Sequence, residues 1–276
     1  MPSAAEAMAA VRRRFSHAGA AGRWDAMYAT ETARLDEANF RLRRDIAVAR
    51  VRSIVTPESL VLDLGCGTGP VISELRRHGV KVVGLDYSDD MLAHARARLR
   101  ALGLDEAGLM RGDCRETPYP RASFDVVVCL GVISYIENYA EVLEEIHRLL
   151  KPGGTALISF RNAFNPILSD PVALGKLALR TVLRPLVGPR APKKFAIGRF
   201  LDHREVAAKI DALGFRYVDF YGIGFGPFRL GGMNLFSERQ SIRISRWLTG
   251  ICGSLSMRRP LRWLTDVSLW VWQKPS

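Results

Sequence analysis

The chain has 276 residues, of which 48% are hydrophobic and 25% charged, a composition typical of a folded globular protein and not of a disordered or collagen-like chain. All of the formal net charge of +12 lies in the C-terminal part: residues 1–160 hold 21 basic and 21 acidic side chains, whereas residues 161–276 hold 19 and 7. No run of about 18 apolar residues and no signal peptide is visible, and the four cysteines lack metal-site spacing. We therefore expect a cytoplasmic protein with reduced thiols and no bound metal.

The order of apolar and helical segments predicts an α/β fold. From residue 57 onward, short apolar runs alternate with helical segments, the pattern of a parallel sheet joined by right-handed crossovers. The predicted strands are Leu60–Leu64, Val80–Leu85, Leu109–Arg111, Phe124–Leu130, Thr155–Phe160, Arg216–Tyr221 and Val267–Trp272. The predicted helices are Asp36–Val55, Pro70–Gly79, Ser88–Leu102, Glu137–Leu150 and Asp202–Leu213. This pattern predicts a seven-stranded, mostly parallel sheet with helices on both faces.

Two segments outside this pattern hold the positive charge. Residues 161–200 carry a net charge of +7 and residues 222–266 carry +5. Because each segment follows a strand expected to be parallel, both should rise from the carboxyl edge of the sheet, where ligands bind in open α/β folds. We therefore predict helical lid insertions within a main domain of residues 57–276, preceded by an N-terminal arm and helix at residues 1–56.

A glycine-rich turn follows the first predicted strand. Glycines let the backbone approach a ligand, and the helix that opens at Pro70 offers free N–H groups. The pattern is Asp63-x-Gly65-x-Gly67-x-Gly69, and a dinucleotide fingerprint would need glycine in place of Pro70. A phosphate-loop Lys-Ser/Thr pair is also missing. The turn therefore indicates a nucleotide-like ligand other than NAD or ATP.

The segment Val61-Leu-Asp-Leu-Gly-Cys-Gly-Thr-Gly69 resembles motif I of the class I S-adenosylmethionine-dependent methyltransferases. Four further family motifs follow in order: Val82-Val-Gly-Leu-Asp86, Gly112-Asp-Cys114, Phe124-Asp-Val-Val-Val-Cys-Leu-Gly131 and Leu149-Leu-Lys-Pro-Gly-Gly154. The resemblance covers about residues 57–160 and, more loosely, 202–221 and 267–274. It implies a Rossmann-like fold, S-adenosylmethionine as cofactor and a methyltransferase acting on a small molecule.

The resemblance also implies which residues hold the nucleoside part of the cofactor. Asp86 would accept both ribose hydroxyls, and Asp113 would accept from the adenine amino group while the Cys114 N–H serves a ring nitrogen. Tyr87 and Met91 would cover the faces of the adenine, although both residue types also suit ordinary core packing.

For the methionine part, the resemblance implies contacts from the turn and from the end of the fourth strand. The backbone of Gly65, Cys66 and Gly67 would meet this part, with Gly69 completing the motif. The Leu130 carbonyl and the Asp63 carboxylate would receive its ammonium group. The segment Arg23-Trp24-Asp-Ala-Met-Tyr28 resembles an arm that closes over the cofactor, which makes Trp24 a further cofactor contact.

Methyl transfer from a sulfonium needs alignment and exclusion of water, and it needs a general base only when the acceptor arrives protonated. After the fourth strand, Leu130-Gly-Val-Ile-Ser-Tyr135 replaces the Asn/Asp-Pro-Pro-Tyr of amino-group methylases, which favours oxygen or carbon acceptors over nitrogen. Our candidate bases are His203, at the start of the helix after the fifth strand, with Tyr135 and Tyr28 as alternatives.

The basic insertions predict the partner. Residues 238–264 interleave arginines with Trp247, Trp263 and aliphatic side chains, which suits an anionic membrane surface or an amphipathic, anionic acceptor. The first hypothesis is a small lipophilic acceptor, such as a lipid, a quinone precursor or a natural product, delivered at or near a membrane. The alternatives are RNA gripped through its phosphates and, as a third hypothesis, a non-catalytic cofactor-binding protein. Lid helices that leave their arginines in water would explain the same pattern without any partner.

Overall fold

The computed structural model describes residues 15, 19–28, 34–163, 172, 175, 199–226, 228–230, 233–254 and 265–276, and of residues 250–254 only the backbone. The strands are β1 (Leu60–Leu64), β2 (Lys81–Asp86), β3 (Leu109–Arg111), β4 (Phe124–Leu130), β5 (Leu150–Arg161), β6 (Arg216–Ile223), β7 (Arg229–Leu230), β8 (Met233–Asn234) and β9 (Val267–Gln273). The helices are α1 (Ala20–Ala26), α2 (Leu35–Arg52), α3 (Pro70–Arg77), α4 (Asp89–Ala101), α5 (Tyr139–Leu149), α6 (His203–Ala212) and α7 (Glu238–Ser254). A 3-10 turn, Ile133–Tyr135, follows β4.

Seven of these strands form one sheet in the order β3-β2-β1-β4-β5-β9-β6. The first five strands pair in parallel, and β9 runs antiparallel between β5 and β6. The predicted seven-stranded, mostly parallel, Rossmann-like sheet is therefore confirmed. The strand order reverses between β1 and β4, and ligands of open α/β folds bind beyond the carboxyl ends of the strands at such a switch point.

The helices cover both faces of the sheet, as predicted. Val48 of α2, Leu75 of α3 and Leu99 of α4 lie in one buried cluster with residues of the central strands. Ile146 of α5 and Ile210 of α6 lie in the cluster on the opposite face. Because α2 contributes to the same core as α3 and α4, this part of the predicted N-terminal arm packs as an integral layer of the domain.

Local chemistry explains where the helices begin and end. The Ser88 hydroxyl accepts a hydrogen bond from the Met91 N–H at 3.3 Å, and the Asp202 carboxylate accepts one from the Arg204 N–H at 2.7 Å. Each bond satisfies an N–H group that the first helical turn leaves without a partner. Gly103 follows α4 with a φ of +66°, the left-handed conformation that ends helices.

Two features of the fold depart from the sequence prediction. Strand β5 begins at Leu150, which pairs with Phe124, and the predicted turn before Thr155 lies inside it as an irregularity in the register. The second predicted insertion contains a small β7–β8 hairpin before its helix α7. Most of the first insertion, residues 161–200, lies outside the described residues. In the part of the chain that is described, no helix has the length and apolarity that crossing a membrane requires.

Candidate functional site

A cavity lies at the carboxyl edge of the sheet, at the switch point between β1 and β4. The sheet contributes four loops to its wall, those that follow β1, β2, β3 and β4. The N-terminal part of the chain contributes Phe15, Trp24, Tyr28 and Arg43. Most of the predicted cofactor residues therefore come together with the predicted N-terminal arm at a single cavity, whereas Asp63 and Gly69 do not line its described wall.

The glycine turn is held against the end of β2 by its own backbone. The N–H groups of Gly65 and Cys66 donate to the Leu85 carbonyl at 2.7 and 3.0 Å. Gly65 has a φ of +78°, and a Cβ there would lie 2.3 Å from the Val132 side chain. Glycine is therefore required at this position by both conformation and space.

At Gly67, unlike at Gly65, a side chain would meet no neighbouring atoms of the described structure. The φ of Gly67 is +55°, and no described atom lies within 4 Å of the position that a Cβ would occupy. Because Gly67 also lines the cavity, a side chain at this position would project into the space available to a ligand. Gly69, by contrast, does not line the cavity in the described structure, and a Cβ there would lie 3.1 Å from the Ala95 Cβ of α4. Its role is close packing of the turn against that helix.

Asp86 ends β2 at the cavity, as predicted. Its Oδ2 accepts a hydrogen bond from the Gly67 N–H at 2.8 Å, and its Oδ1 accepts one from the Ser88 N–H at 2.9 Å. Burial raises the pKa of Asp86 above its ordinary value, while the surrounding backbone N–H groups lower it. Each carboxylate oxygen has a second acceptor site, so Asp86 retains the capacity to bind a pair of hydroxyl groups.

Asp113 and Cys114 line the next part of the wall, but the Asp113 carboxylate is already engaged. Its two oxygens accept hydrogen bonds from the Arg115 guanidinium at 2.8 and 3.1 Å, and Oδ1 also accepts one from the Arg115 N–H at 3.0 Å. An adenine amino group would share this carboxylate with Arg115. Burial raises the pKa of the Cys114 thiol to about 12, which excludes a thiolate nucleophile at neutral pH.

Tyr87 and Met91 also lie at the cavity, on the side of α4. The Arg111 guanidinium lies over the Tyr87 ring, 5.7 Å from its centroid. Met91 is buried and packs against Ala20 and Ala21 of α1. The N-terminal helix α1 thus covers the same side of the cavity as the predicted adenine contacts.

Aromatic side chains from distant parts of the chain form the adjoining part of the wall, where Phe15 and Trp24 pack against the cluster of Met91 and α1. Phe15 stacks on Trp24 with ring centroids 5.8 Å apart, and Tyr135 meets both rings edge-on at 5.0 and 6.2 Å. Phe40 packs edge-on behind Trp24 and Tyr28. The sequence pattern identified Trp24, Tyr28 and Tyr135 but not Phe15 or Phe40.

Arg43 is the main residue of the site that sequence reasoning missed. It is buried in the middle of α2, its Nη2 donates to the Tyr28 hydroxyl at 3.2 Å, and its Nε has no hydrogen-bond partner among the described residues. A Cβ on Gly131 would lie 2.7 Å from the Arg43 Nη1, so glycine at that position lets the guanidinium reach the backbone after β4. An arginine buried at an apolar helix position is the sequence signal that could have identified it.

Asp63 lies directly behind the cavity wall near the end of β1, and Leu130 lies in the wall at the end of β4. Asp63 is only 2% exposed, and its Oδ2 has no hydrogen-bond partner among the described residues. Burial raises the pKa of Asp63 to about 7, an effect that Asp86 increases and Arg43 opposes. Buried polar atoms without a partner are rare in folded proteins, so the Asp63 Oδ2 is a candidate contact for a ligand.

The candidate base His203 does not lie at the cavity. It is 3% exposed, it exchanges a hydrogen bond of 3.2 Å with the Ser268 hydroxyl through Nε2, and its ring packs against Phe160 and Trp270. The expectation that it faces the acceptor was wrong, because the first turn of α6 directs this side chain into the core beneath the sheet edge. The described wall of the cavity holds no histidine, and Tyr28 and Tyr135 are the candidates from the sequence that it does hold.

Comparisons with known proteins match this chain to methyltransferases. Residues 61–154 match a family model described as a methyltransferase domain. Ubiquinone biosynthesis O-methyltransferase of Sodalis glossinidius is 30% identical over 181 residues, which cover 62% of this chain and 68% of that protein. Demethylmenaquinone methyltransferase of Oceanobacillus iheyensis is 36% identical over 115 residues, 37% of this chain and 48% of that protein.

The fold also matches a solved structure along nearly its whole length. Magnesium protoporphyrin IX methyltransferase of Synechocystis PCC 6803, determined with bound SAH, has a TM-score of 0.63 and 15% sequence identity, covering 97% of this chain and 99% of that one. At this identity the match shows a shared fold. The chain spans about half or less of the length of the first curated relatives that it matches.

Gly67→Ala is expected to weaken the affinity for S-adenosylmethionine at least tenfold, because the new methyl group would occupy the space that the ligand needs. Gly79→Ala is the matched control, since Gly79 also has a positive φ and no described atom near its Cβ position but lies outside the described cavity wall. Both variants should lose about 1–2 kcal/mol of stability from backbone strain. Isothermal titration that gives equal affinities for the two variants would contradict this role of Gly67.

Asp63→Asn is expected to stabilise the ligand-free protein at pH 8 but not below pH 4. A carboxyl whose pKa is raised by folding costs stability progressively as the pH rises from its unfolded pKa of 3.8 to its folded pKa of about 7. The gain at pH 8 should be up to about 4 kcal/mol, since folding changes the acidity of this carboxyl roughly a thousandfold and each tenfold change corresponds to about 1.4 kcal/mol. Thermal unfolding measured across this pH range checks the prediction, and a stabilisation that does not vary with pH would count against it.

Proposed function

Because this chain belongs to the class I S-adenosylmethionine-dependent methyltransferase family, we propose that it transfers a methyl group from S-adenosylmethionine to an oxygen of a small lipophilic acceptor, such as a quinone precursor. The observation that carries the proposal is the aromatic wall of Phe15, Trp24, Tyr28 and Tyr135, which lines the same cavity as the glycine turn. Flat apolar walls of this kind suit a ring-containing acceptor.

The residues of the cavity fit the cofactor that the family uses. Asp86 offers acceptor sites for ribose hydroxyls, and Gly67 leaves open the space over the turn. Arg43 and Asp63 supply one buried cation and one buried anion, which match the carboxylate and the ammonium group of the methionine part. When bound, S-adenosylmethionine supplies an electrophilic methyl group on a sulfonium centre.

The chain's own contribution to the reaction is to align the acceptor and to exclude water. In-line displacement gains its rate largely from fixing two reactants at close distance in the correct orientation. The rings of Trp24, Phe15 and Tyr135 contact one another and close the acceptor side with apolar surface. Tyr28, fixed by its hydrogen bond from Arg43, brings a hydroxyl group to that wall, where it can bind or relay the proton of an acceptor hydroxyl.

The relatives support the choice of acceptor class. Two of them are, by name, enzymes of ubiquinone and menaquinone formation, and the first is an O-methyltransferase. The aromatic wall favours such an acceptor over RNA. Binding of RNA through its phosphates would require several basic side chains at the cavity, and the described wall has Arg43 alone. Transfer to carbon is the second possibility for an acceptor ring of this type.

The direct test is methyl transfer to a small panel of acceptors. With labelled S-adenosylmethionine, we expect turnover with a prenylated phenol or quinol carrying a free hydroxyl and none with its O-methylated form, and mass spectrometry of the product locates the new methyl group. A prenylated quinone without a hydroxyl is the arm that detects transfer to carbon. Turnover with RNA alone, or no affinity for S-adenosylmethionine by calorimetry, would overturn the proposal.

Tyr28→Phe is expected to lower kcat/KM for the acceptor about ten- to a hundredfold, because it removes the hydroxyl that Arg43 holds in the aromatic wall. Its affinity for S-adenosylmethionine should stay within threefold, since the ring remains in place. Tyr135→Phe is the comparison variant, and we expect a smaller loss because Tyr135 contributes to the wall through its ring contacts. Equal losses in both variants, or unchanged kcat/KM in Tyr28→Phe, would contradict this assignment.

A further inference from the structure

Large apolar side chains are exposed together at the β7–β8 hairpin. Met233 is 73% exposed, Leu235 54%, Leu230 43% and Phe236 40%. Single exposed apolar residues are common, whereas contiguous ones mark a surface that meets another apolar phase. These four lie within seven consecutive positions of the chain, so they form one local patch.

The hairpin register places Leu230 and Met233 on a common face. Leu230 pairs directly with Met233, and Arg229 pairs with Asn234. The Leu235 N–H donates to the Phe228 carbonyl at 2.9 Å and extends the ladder by one more pair. Because directly opposed residues of an antiparallel pair point to the same side, Leu230 and Met233 project together.

Helix α7 follows the hairpin in the chain and carries a basic outer face. Arg239, Arg243 and Arg246 follow one another at helical spacing, and all three are exposed. Trp247, 65% exposed, lies beside them. The inner face of α7 carries the buried Ile242, so the arginines point away from the domain.

Hydrogen bonds between side chains and backbone fix the junction between the hairpin and helix α7. At the junction, the Ser237 hydroxyl accepts from the Gln240 N–H at 3.4 Å, and the Gln240 side chain accepts from the Ser237 N–H at 3.0 Å. This reciprocal capping fixes the entry of the chain into α7. Residues 228–254 contain one acidic side chain, Glu238, whose carboxylate accepts a hydrogen bond from the Leu35 N–H at the start of α2. The described outer face of α7 is therefore basic.

We propose that this face, formed by the β7–β8 hairpin, residues 235–236 and the outer side of α7, docks on an anionic lipid membrane. Apolar side chains at the hairpin would enter the headgroup and acyl boundary, and the arginines would contact lipid phosphates. An RNA partner would use the arginines but would leave the aliphatic side chains of the hairpin in water, and a second copy of the chain would bring a second set of arginines against the first.

The docking face adjoins the proposed site. Helix α7 packs against α2, and α2 carries Arg43 and Phe40 to the aromatic wall of the cavity. Docking itself does not depend on the proposed function. The role of docking in the reaction does rest on the proposed function. A lipophilic acceptor that leaves a bilayer at the docking face would emerge next to α2, the helix that borders the cavity.

The test compares co-sedimentation with vesicles of phosphatidylcholine alone and of phosphatidylcholine mixed with phosphatidylglycerol, at low and high salt. We expect binding to the anionic vesicles at low salt, and weakening as salt rises. Each arginine near such a surface contributes about a fivefold factor in affinity, so Arg239→Gln/Arg243→Gln/Arg246→Gln should bind about a hundredfold more weakly. The matched control Arg52→Gln/Lys81→Gln/Arg121→Gln removes the same charge from exposed positions elsewhere and should bind within threefold of the unaltered chain.

Two further measurements test the apolar part of the docking face. Met233→Ser/Leu235→Ser should lose the binding that persists at high salt, and lipids brominated near the headgroup should quench a fluorescence component that Trp247→Phe removes. Calorimetry with S-adenosylmethionine reports whether each variant is folded, and it separates failure of docking from failure of the proposed function.

Four outcomes would overturn the proposal. They are equal binding to both vesicle types, no binding to either, equal weakening by the two triple variants, and a shift of RNA or a concentration-dependent dimer in place of vesicle binding.

Discussion

The carbonyl of Leu85 accepts hydrogen bonds from two consecutive N–H groups of the glycine turn, those of Gly65 and Cys66, and this contact determines the geometry of the cavity. It ties the end of β1 to the end of β2, so that the N–H of Gly67 reaches the Asp86 carboxylate. The turn can adopt this path only with glycine at position 65, where the φ is positive and the Val132 side chain fills the space beside the Cα. The open space over Gly67 follows from this path.

The central sheet and the glycine turn were predictable because local chemistry and family motifs agree there. Mostly apolar runs such as Leu60–Leu64 and Phe124–Leu130 have the predicted bounds in the structure, since a largely buried strand leaves no alternative element for so short a run. Caps at Ser88 and Asp202 likewise depend on residues within three positions in the chain. The residues of the turn and of the end of β2 were predictable for the same reason.

The rest of the site depends on contacts between segments far apart in the chain, and sequence patterns do not contain those contacts. Arg43 occupies a buried position of α2, but its neighbours in the site, Tyr28 and the backbone at Gly131, come from other segments of the chain. His203, by contrast, was predicted to lie in the site and lies outside the described cavity wall. Its position at a helix start near the sheet edge predicted access to the acceptor, whereas the rotation of α6 places its ring against Phe160 and Trp270 in the core.

The placement of β9 between β5 and β6 has a consequence for how the protein is made. Strand β6 has β9 as its hydrogen-bonding neighbour in the sheet, and β9 is the last strand in the described chain. During synthesis, β1 to β5 can therefore pair with one another as they leave the ribosome. The backbone groups of β6 remain hydrogen-bonded to water until residues 267–273 emerge and form β9. Over that interval the aromatic side chains that β5 and β6 later share with β9, Phe160 and Phe220, are exposed to chaperones and to other nascent chains.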